Sequence, residues 1–235
     1  MVYNWLNYIQ NLLYPSTCLL CDRPVSAELA LCPGCRSELP HNHKPCHRCA
    51  KPLPVDAPIG ALCGECQRKP PPFDRCVVPF TYRSPLPELI NGLKFRGRLS
   101  YSRLLAGLLL PAIEQVLQKP PELIIPVPLH PGRLRERGYN QALELARPLS
   151  RHLGIPLELR HCRRTRATPP QSGLKQTQRR RNIRGAFEIS PNIGADHVAL
   201  VDDVVTTGST VAEFARQLHR RGVQRVEVWA LARTP

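Results

Sequence analysis

Acidic residues are scarce in this chain. Eighteen Asp and Glu face 33 Lys and Arg over 235 residues, which leaves a net charge of +15. That excess implies an anionic partner, either nucleic acid or a multiply phosphorylated ligand, and does not choose between them. Basic residues are in turn missing from Met1 to Leu13, so this stretch does not read as a secretory signal. Its apolar residues Val2, Trp5, Leu6, Ile9, Leu12 and Leu13 recur at helical spacing. A short amphipathic helix docked on the body is expected, since a helix without a basic face is poorly suited to a membrane surface. No apolar run is long enough to span a bilayer. The expected location is cytoplasmic, where thiols stay reduced. Aromatic residues make up only 6% of the chain, which leaves little material for a base-stacking platform.

Cysteine is not scarce. Eight of the ten lie between Cys18 and Cys66, as four CxxC pairs: Cys18/Cys21, Cys32/Cys35, Cys46/Cys49 and Cys63/Cys66. CxxC puts two thiolates on one tight knuckle, and two knuckles complete a tetrahedral Zn²⁺ shell. This region has too few apolar residues for a core of its own, so structural zinc, one ion or two, would supply its folding energy. Successive pairing gives sites Cys18/21/32/35 and Cys46/49/63/66. Pairing of the first knuckle with the third, or a degenerate second site, stays open. Four thiolates leave no open coordination position, so the role is recognition or architecture rather than chemistry. His41, His43 and His47 are expected on the surface or behind the ligands. Cys76 is expected to be buried in a strand.

Lys69-Pro-Pro-Pro72 reads as a stiff linker. It divides residues 1–70, an N-terminal helix and double zinc ribbon, from a second domain at 73–235. Residues 1–75 carry eight Lys and Arg against six Asp and Glu, so the remaining +13 lies in the second domain. There the pattern alternates. Val77 to Tyr82 is β-like, Leu86 to Leu93 and Leu99 to Leu117 are helical, and Leu123 to Val127 is a buried strand. Asn140 to Leu153 is a helix closed by Gly154, Val198 to Val201 a strand, Val211 to Arg221 a helix closed by Gly222, and Val226 to Leu231 a last strand. This order predicts an α/β fold with a mostly parallel, doubly wound sheet, whose ligands bind at the carboxyl ends of strands.

One such end carries the most informative segment, Val198-Ala-Leu-Val-Asp-Asp-Val-Val-Thr-Thr-Gly-Ser-Thr210. It reads as strand, phosphate-cradling loop and helix N-terminus, where free N–H groups and the helix dipole favour an anion. Gly208 allows close backbone approach, and Thr206, Thr207, Ser209 and Thr210 add hydroxyl donors. Two carboxylates before an anion site, Asp202 and Asp203, do not suit the phosphate itself. They suit the sugar hydroxyls of the same ligand. A second loop, Pro126 to Gln141, leaves the preceding strand and offers Arg133, Arg135 and Arg137. Between Arg160 and Gly185 lie nine cations and no acid. That segment, with Arg179, Arg180 and Arg181, reads as a flap able to close over a diphosphate or track a nucleic-acid backbone. Lys94, Arg96 and Arg98 extend the basic surface.

The segment at 198–210 resembles the phosphoribosyl-pyrophosphate (PRPP) loop of type I phosphoribosyltransferases. By that resemblance Asp202 and Asp203 hold the ribose hydroxyls as the catalytic pair, Thr206 to Thr210 bind the 5′-phosphate, and Leu129, His130 and Arg133 lie near the diphosphate, with Mg²⁺ accompanying PRPP. The whole chain, with four knuckles and then Arg135-Glu-Arg-Gly-Tyr-Asn-Gln141 and Asn182-Ile-Arg-Gly-Ala-Phe187, resembles the ComF family of bacterial competence proteins. The resemblance implies action on or with incoming single-stranded DNA in natural transformation, and partners such as a DNA-uptake helicase or recombination proteins. A metabolic phosphoribosyltransferase and a PRPP-sensing regulator are the alternatives it leaves open. Enzymes of the resembled class hold their acceptor base with residues after the last strand. Here the chain ends at Ala232-Arg-Thr-Pro235, so any hood must come from the N-terminal domain or the flap.

Overall fold

The computed structural model describes residues 17–25, 29–167, 182–191 and 193–235. The expected helix at Met1 to Leu13 and the flap arginines Arg179, Arg180 and Arg181 lie outside them.

Chain order is α1 (Pro33–Ser37), α2 (Gly64–Arg68), β1 (Arg75–Val77), β2 (Phe80–Thr81), α3 (Leu86–Phe95), α4 (Tyr101–Glu114), β3 (Leu123–Pro126), α5 (Pro131–Arg137), α6 (Gln141–Leu153), β4 (Cys162–Arg164), β5 (Phe187–Ile189), β6 (His197–Val205), α7 (Ser209–His219) and β7 (Arg225–Arg233). The main sheet runs β1-β7-β6-β3, with β2 also paired to β7, and every pairing in it is parallel. This is the α/β parallel fold that the alternating pattern predicts.

Both faces of the sheet are covered, which is why its strands read as continuous apolar runs. Side chains alternate between two cores. Ile124, Ala199, Val201, Trp229 and Leu231 face α3, α4 and α6, where Leu89, Leu105, Leu109 and Leu145 are buried. Ile125, Val198, Leu200, Val226, Val228 and Ala230 face α7, where Phe214 stacks on Phe187 of β5 with ring centroids 4.7 Å apart. Helix ends follow their sequence signals. Asn140 caps α6 by accepting from Ala142 N, and Gly154 closes it at φ 68°. Cys76 is buried in β1, as expected.

Three local features differ from the sequence expectations. β6 does not stop at Val201 but continues through both aspartates to Val205, because β7 extends to Arg233 and pairs with it there. The Pro126–Gln141 segment is not a plain loop but contains α5, which has no buried residue and therefore no apolar period to betray it. The base of the 160–185 segment is an antiparallel hairpin of β4 and β5, with Cys162, Phe187 and Ile189 buried.

The cysteine region joins both cores. Cys18, Leu31, Cys32 and Leu39 belong to the core under α3 and α4, and Ala50 to the opposite one. The approach to α4 is close enough that a Cβ built on Gly107 would lie 2.4 Å from Leu29. Asn42 N donates to Pro79 O, and Thr81 N donates to Pro40 O. The segment before the third knuckle thus satisfies the outer edge of the sheet, which would otherwise be open.

Candidate phosphate site and cysteine knuckles

The knuckles repeat one local design. Cys18 N donates to Arg23 O and Asp22 N to Cys18 O. In the second unit Cys46 N donates to Lys51 O and Ala50 N to Cys46 O. The residue after each first knuckle, Asp22 or Ala50, takes positive φ, 58° and 55°. The second knuckle of each unit starts a short helix, with Cys32 and Cys63 as N-caps.

The sulfurs gather as Cys18/Cys21/Cys32/Cys35 and Cys46/Cys49/Cys63/Cys66, each set within 4.8 Å. Pairing is therefore successive, not crossed. Cys21 and Cys32 sulfurs are 3.6 Å apart and those of Cys49 and Cys63 3.7 Å. A tetrahedral zinc with Zn–S of about 2.3 Å places its ligands about 3.7–3.8 Å apart, whereas a disulfide requires about 2.05 Å. Burial opposes ionisation of Cys46, but N–H groups of Cys49, Cys63 and Arg48 outweigh it and hold the thiol down at about 7. Donor number, spacing and N–H support fit two structural zinc sites.

The candidate phosphate site is built where β3 ends beside β6, which runs on to Val205. Pro126 pairs with Val201, and Val127 N donates to Val201 O at 2.9 Å. The turn Pro128 to His130 therefore lies next to the aspartates. His130 caps α5, with Nδ1 accepting from Gly132 N at 3.1 Å. Leu129 and Arg133 are half-buried. After Val205 the chain turns at Gly208, φ 72°, into α7. Thr207 Oγ1 lies 2.8 Å from Ser209 Oγ and accepts from Ser209 N at 3.3 Å. Thr206, Thr207 and Thr210 are partly exposed, whereas Ser209 is buried.

The aspartates differ. Asp203 is 3% exposed and its Oδ2 lies 2.5 Å from Lys94 Nζ. Burial alone would push that ammonium down, but Asp203 outweighs it and holds the Lys94 pKa above its ordinary value. Asp202 accepts from Asp203 N through Oδ1. Burial, with Asp203 adding and Lys94 opposing, pushes its carboxyl up to about 8. That rise favours the neutral form of Asp202, which can donate a hydrogen bond as well as accept one.

The sequence groups Lys94 with exposed Arg96. The fold separates them, turning Lys94 inward onto Asp203 and leaving Arg96 in solvent. The 135–141 motif holds Lys94 there. Tyr139 Oη donates to Leu93 O, the Arg137 guanidinium lies 5.3 Å over the Phe95 ring while bonding Gln141, and Asn140 Nδ2 donates to Val127 O at 3.1 Å. Residues on both sides of Lys94 are thus clasped by one short segment that also ties down the end of β3. In the sequence Arg164 is one of the nine cations between Arg160 and Gly185. It stands on β4 with its guanidinium 5.7 Å over the Phe187 ring. Burial lowers its pKa, nearby Arg133 adds to the fall and Asp202 opposes it. Its proximity to Arg133 and Asp202 has no signature in spacing, because it depends on the hairpin.

The end of β7 and the third knuckle meet at this site. Arg233, 6% exposed, donates from Nη1 to Val205 O at 3.1 Å and to Thr206 O, and from Nε to Cys49 O at 3.2 Å. Thr234 Oγ1 donates to Thr206 O at 3.1 Å.

Among the described residues no helix is long and apolar enough to cross a membrane. Residues 9–69 match the double zinc ribbon domain, and residues 140–235 match the phosphoribosyl transferase domain. The chain is 38% identical over 221 residues to DNA utilization protein YhgH of Escherichia coli K12, covering 92% of this chain and 90% of that one. It is 38% identical over 214 residues to competence protein F of Haemophilus influenzae, covering 88% and 92%. It is 27% identical over 225 residues to competence protein ComFC of Bacillus subtilis, covering 87% and 89%. With two successive four-cysteine sites, a parallel phosphoribosyltransferase sheet and this likeness along nearly its whole length, the chain belongs to the ComF family of competence and DNA-utilization proteins.

Proposed function

We propose that this protein binds PRPP at the Asp202–Thr210 segment and acts on or with incoming single-stranded DNA in natural transformation. The carrying observation is the acid pair in the last part of β6, just past the end of β3, followed by a hydroxyl-rich loop. In this reading Thr206 to Thr210 hold the 5′-phosphate, Asp202 and Asp203 the ribose hydroxyls, and Leu129, His130 and Arg133 the diphosphate, with Arg164 joining them. Mg²⁺ arriving with PRPP would supply charge neutralisation at the diphosphate, and the two carboxylates are oxygen donors of suitable chemistry for it. The DNA half of the reading is supported by the +13 excess after residue 75 and by the relatives' names. It is also supported by Phe95, 71% exposed, set among Arg96, Arg98 and Arg137. Residues 1–70 and 73–235 act as two domains in this account, in the cytoplasm.

Fluorescence anisotropy with a labelled oligonucleotide, titrated at several salt concentrations with and without PRPP, tests the DNA half. Wild type is expected to bind single strands with strong salt dependence. Neutralising Arg179, Arg180 and Arg181 together should reduce the slope of log K against log salt by about 2, as three phosphate contacts on a single strand require. An unchanged slope would remove the flap from the DNA surface. A change of DNA affinity on adding PRPP would make the protein a PRPP-sensing regulator as well.

A metabolic transferase reading rests on a different observation. The Asp202 carboxyl, pushed up by burial and by Asp203 and set next to the Lys94–Asp203 ion pair, is acid–base equipment beyond what binding needs. It requires pyrophosphate release with a base or amine acceptor, and a broad acceptor screen without turnover would set it aside.

A further inference from the structure

The guanidinium of Arg233 touches two parts of the molecule far apart in sequence. Its Nη1 bonds the carbonyls of Val205 and Thr206, where the phosphate loop leaves β6. Its Nε bonds the carbonyl of Cys49, a sulfur ligand of the second zinc site. A guanidinium is planar and rigid, so donors on it hold their acceptors at fixed separation and orientation. Arg233 is itself fixed. It is buried, and its backbone lies in β7 opposite Val205. The knuckle is equally fixed, with Ala50 fully buried and its carbonyl accepting from Asn42 Nδ2 at 2.8 Å. A shift of the Cys49 carbonyl would disturb this knuckle, and a metal held by Cys46, Cys49, Cys63 and Cys66 would oppose it.

We infer that Arg233 is a positioning residue that couples the second zinc site to the phosphate loop, so that metal at Cys46/Cys49/Cys63/Cys66 sets the backbone of Val205 to Gly208 for its ligand. The first zinc site has no such link among the described residues. Cys18, Leu31 and Cys32 pack in the core under α3 and α4. The inference rests on the PRPP reading for the identity of the loop's ligand, but the coupling itself is a property of the protein without PRPP. Coupling between two sites is reciprocal, so loosening the loop must also loosen the metal.

The test uses the full zinc-loaded chain. Two readouts are taken on wild type and Arg233→Lys. One is hydrogen exchange of the loop amides. The other is the rate at which each cysteine set becomes open to alkylation in the presence of a chelator, followed by mass spectrometry. Lysine keeps the charge but offers a single point and cannot span both acceptors. In Arg233→Lys the amides of residues 206–209 should exchange about ten-fold faster, the scale of one to two lost hydrogen bonds. The Cys46–Cys66 set should be alkylated faster by a similar factor, with the Cys18–Cys35 set, the amides of β6 before Asp202 and those of β7 before Ala230 unchanged. A residue that only stabilises the fold would instead accelerate both cysteine sets and the sheet together, and that result overturns the inference, as does no change at all. Gly208→Val approaches from the other end and needs no change at Arg233. It strains the loop through its φ of 72°, where a Cβ meets only ordinary contact with Val205. It too should open the second cysteine set selectively; equal rates for both sets would contradict the coupling. PRPP is then added to wild type. If PRPP fails to bind while the selective pattern is seen, the ligand assignment falls and the coupling stands. If PRPP binds and the pattern is absent, the reverse holds.

Discussion

Removing zinc is expected to lower the melting temperature of the whole chain by about 10–20 °C, in one transition. A zinc ribbon that hung from its neighbour by a linker would unfold alone and leave the sheet domain unaffected. Here Cys18, Leu31, Cys32 and Leu39 are buried with Leu105 and Leu109, and Ala50 is buried with Phe73 and Cys76. Pro40 and Asn42 also bond the edge formed by β2 and the residues before it. Opening the knuckles therefore exposes apolar surface on both faces of the sheet. Structural zinc in ribbon-like peptides contributes about 10–16 kcal/mol of binding free energy. Only the part felt by the larger domain, on the order of 5 kcal/mol, is needed for such a shift, because 1 kcal/mol moves a domain of this size by about 2–4 °C. Differential scanning calorimetry with and without a strong chelator measures it. Two separate transitions, the upper one unmoved by chelation, would show that the ribbons are an appendage.

Lys94→Met is the second large effect. Asp203 is 3% exposed, and with the ammonium gone its Oδ2, shielded from water, has no counter-charge. Removing one member of a buried pair leaves an uncompensated charge, whereas replacing both is often nearly neutral. The expected loss is about 3 kcal/mol in urea unfolding, with Lys94→Met/Asp203→Asn recovering most of it. A loss below about 1 kcal/mol for the single variant would mean that the pair behaves as a surface ion pair. Tyr139→Phe, which removes only the bond to Leu93 O, should cost far less and leave the pair intact.

The inward turn of Lys94 also shows where sequence reading reaches its limit. The order of helices and strands after Phe73, the β6–loop–α7 unit and the spacing of eight cysteines are all local patterns, and each is written in adjacent residues. The partner of Lys94 is not local. It lies on another element and is brought near by a segment from a third, Arg137 to Gln141. α5 was hidden because all its side chains reach solvent and amphipathic period is the signal a helix normally gives. β4 and β5 were hidden because three-residue strands are too short for alternation to be read. Arg233 is the extreme case. By sequence it is one more cation in a chain that has 33 Lys and Arg, and what distinguishes it is burial and its bonds to backbone carbonyls, those of Cys49, Val205 and Thr206 among them.

Calorimetric titration of the zinc-loaded protein with PRPP and Mg²⁺, wild type beside Asp202→Ala/Asp203→Ala, tests the central claim most directly. The account predicts saturable binding at one site per chain in wild type and none measurable in the double variant, with unchanged zinc content in both. Absence of binding to wild type, or equal affinity in the two proteins, would contradict it.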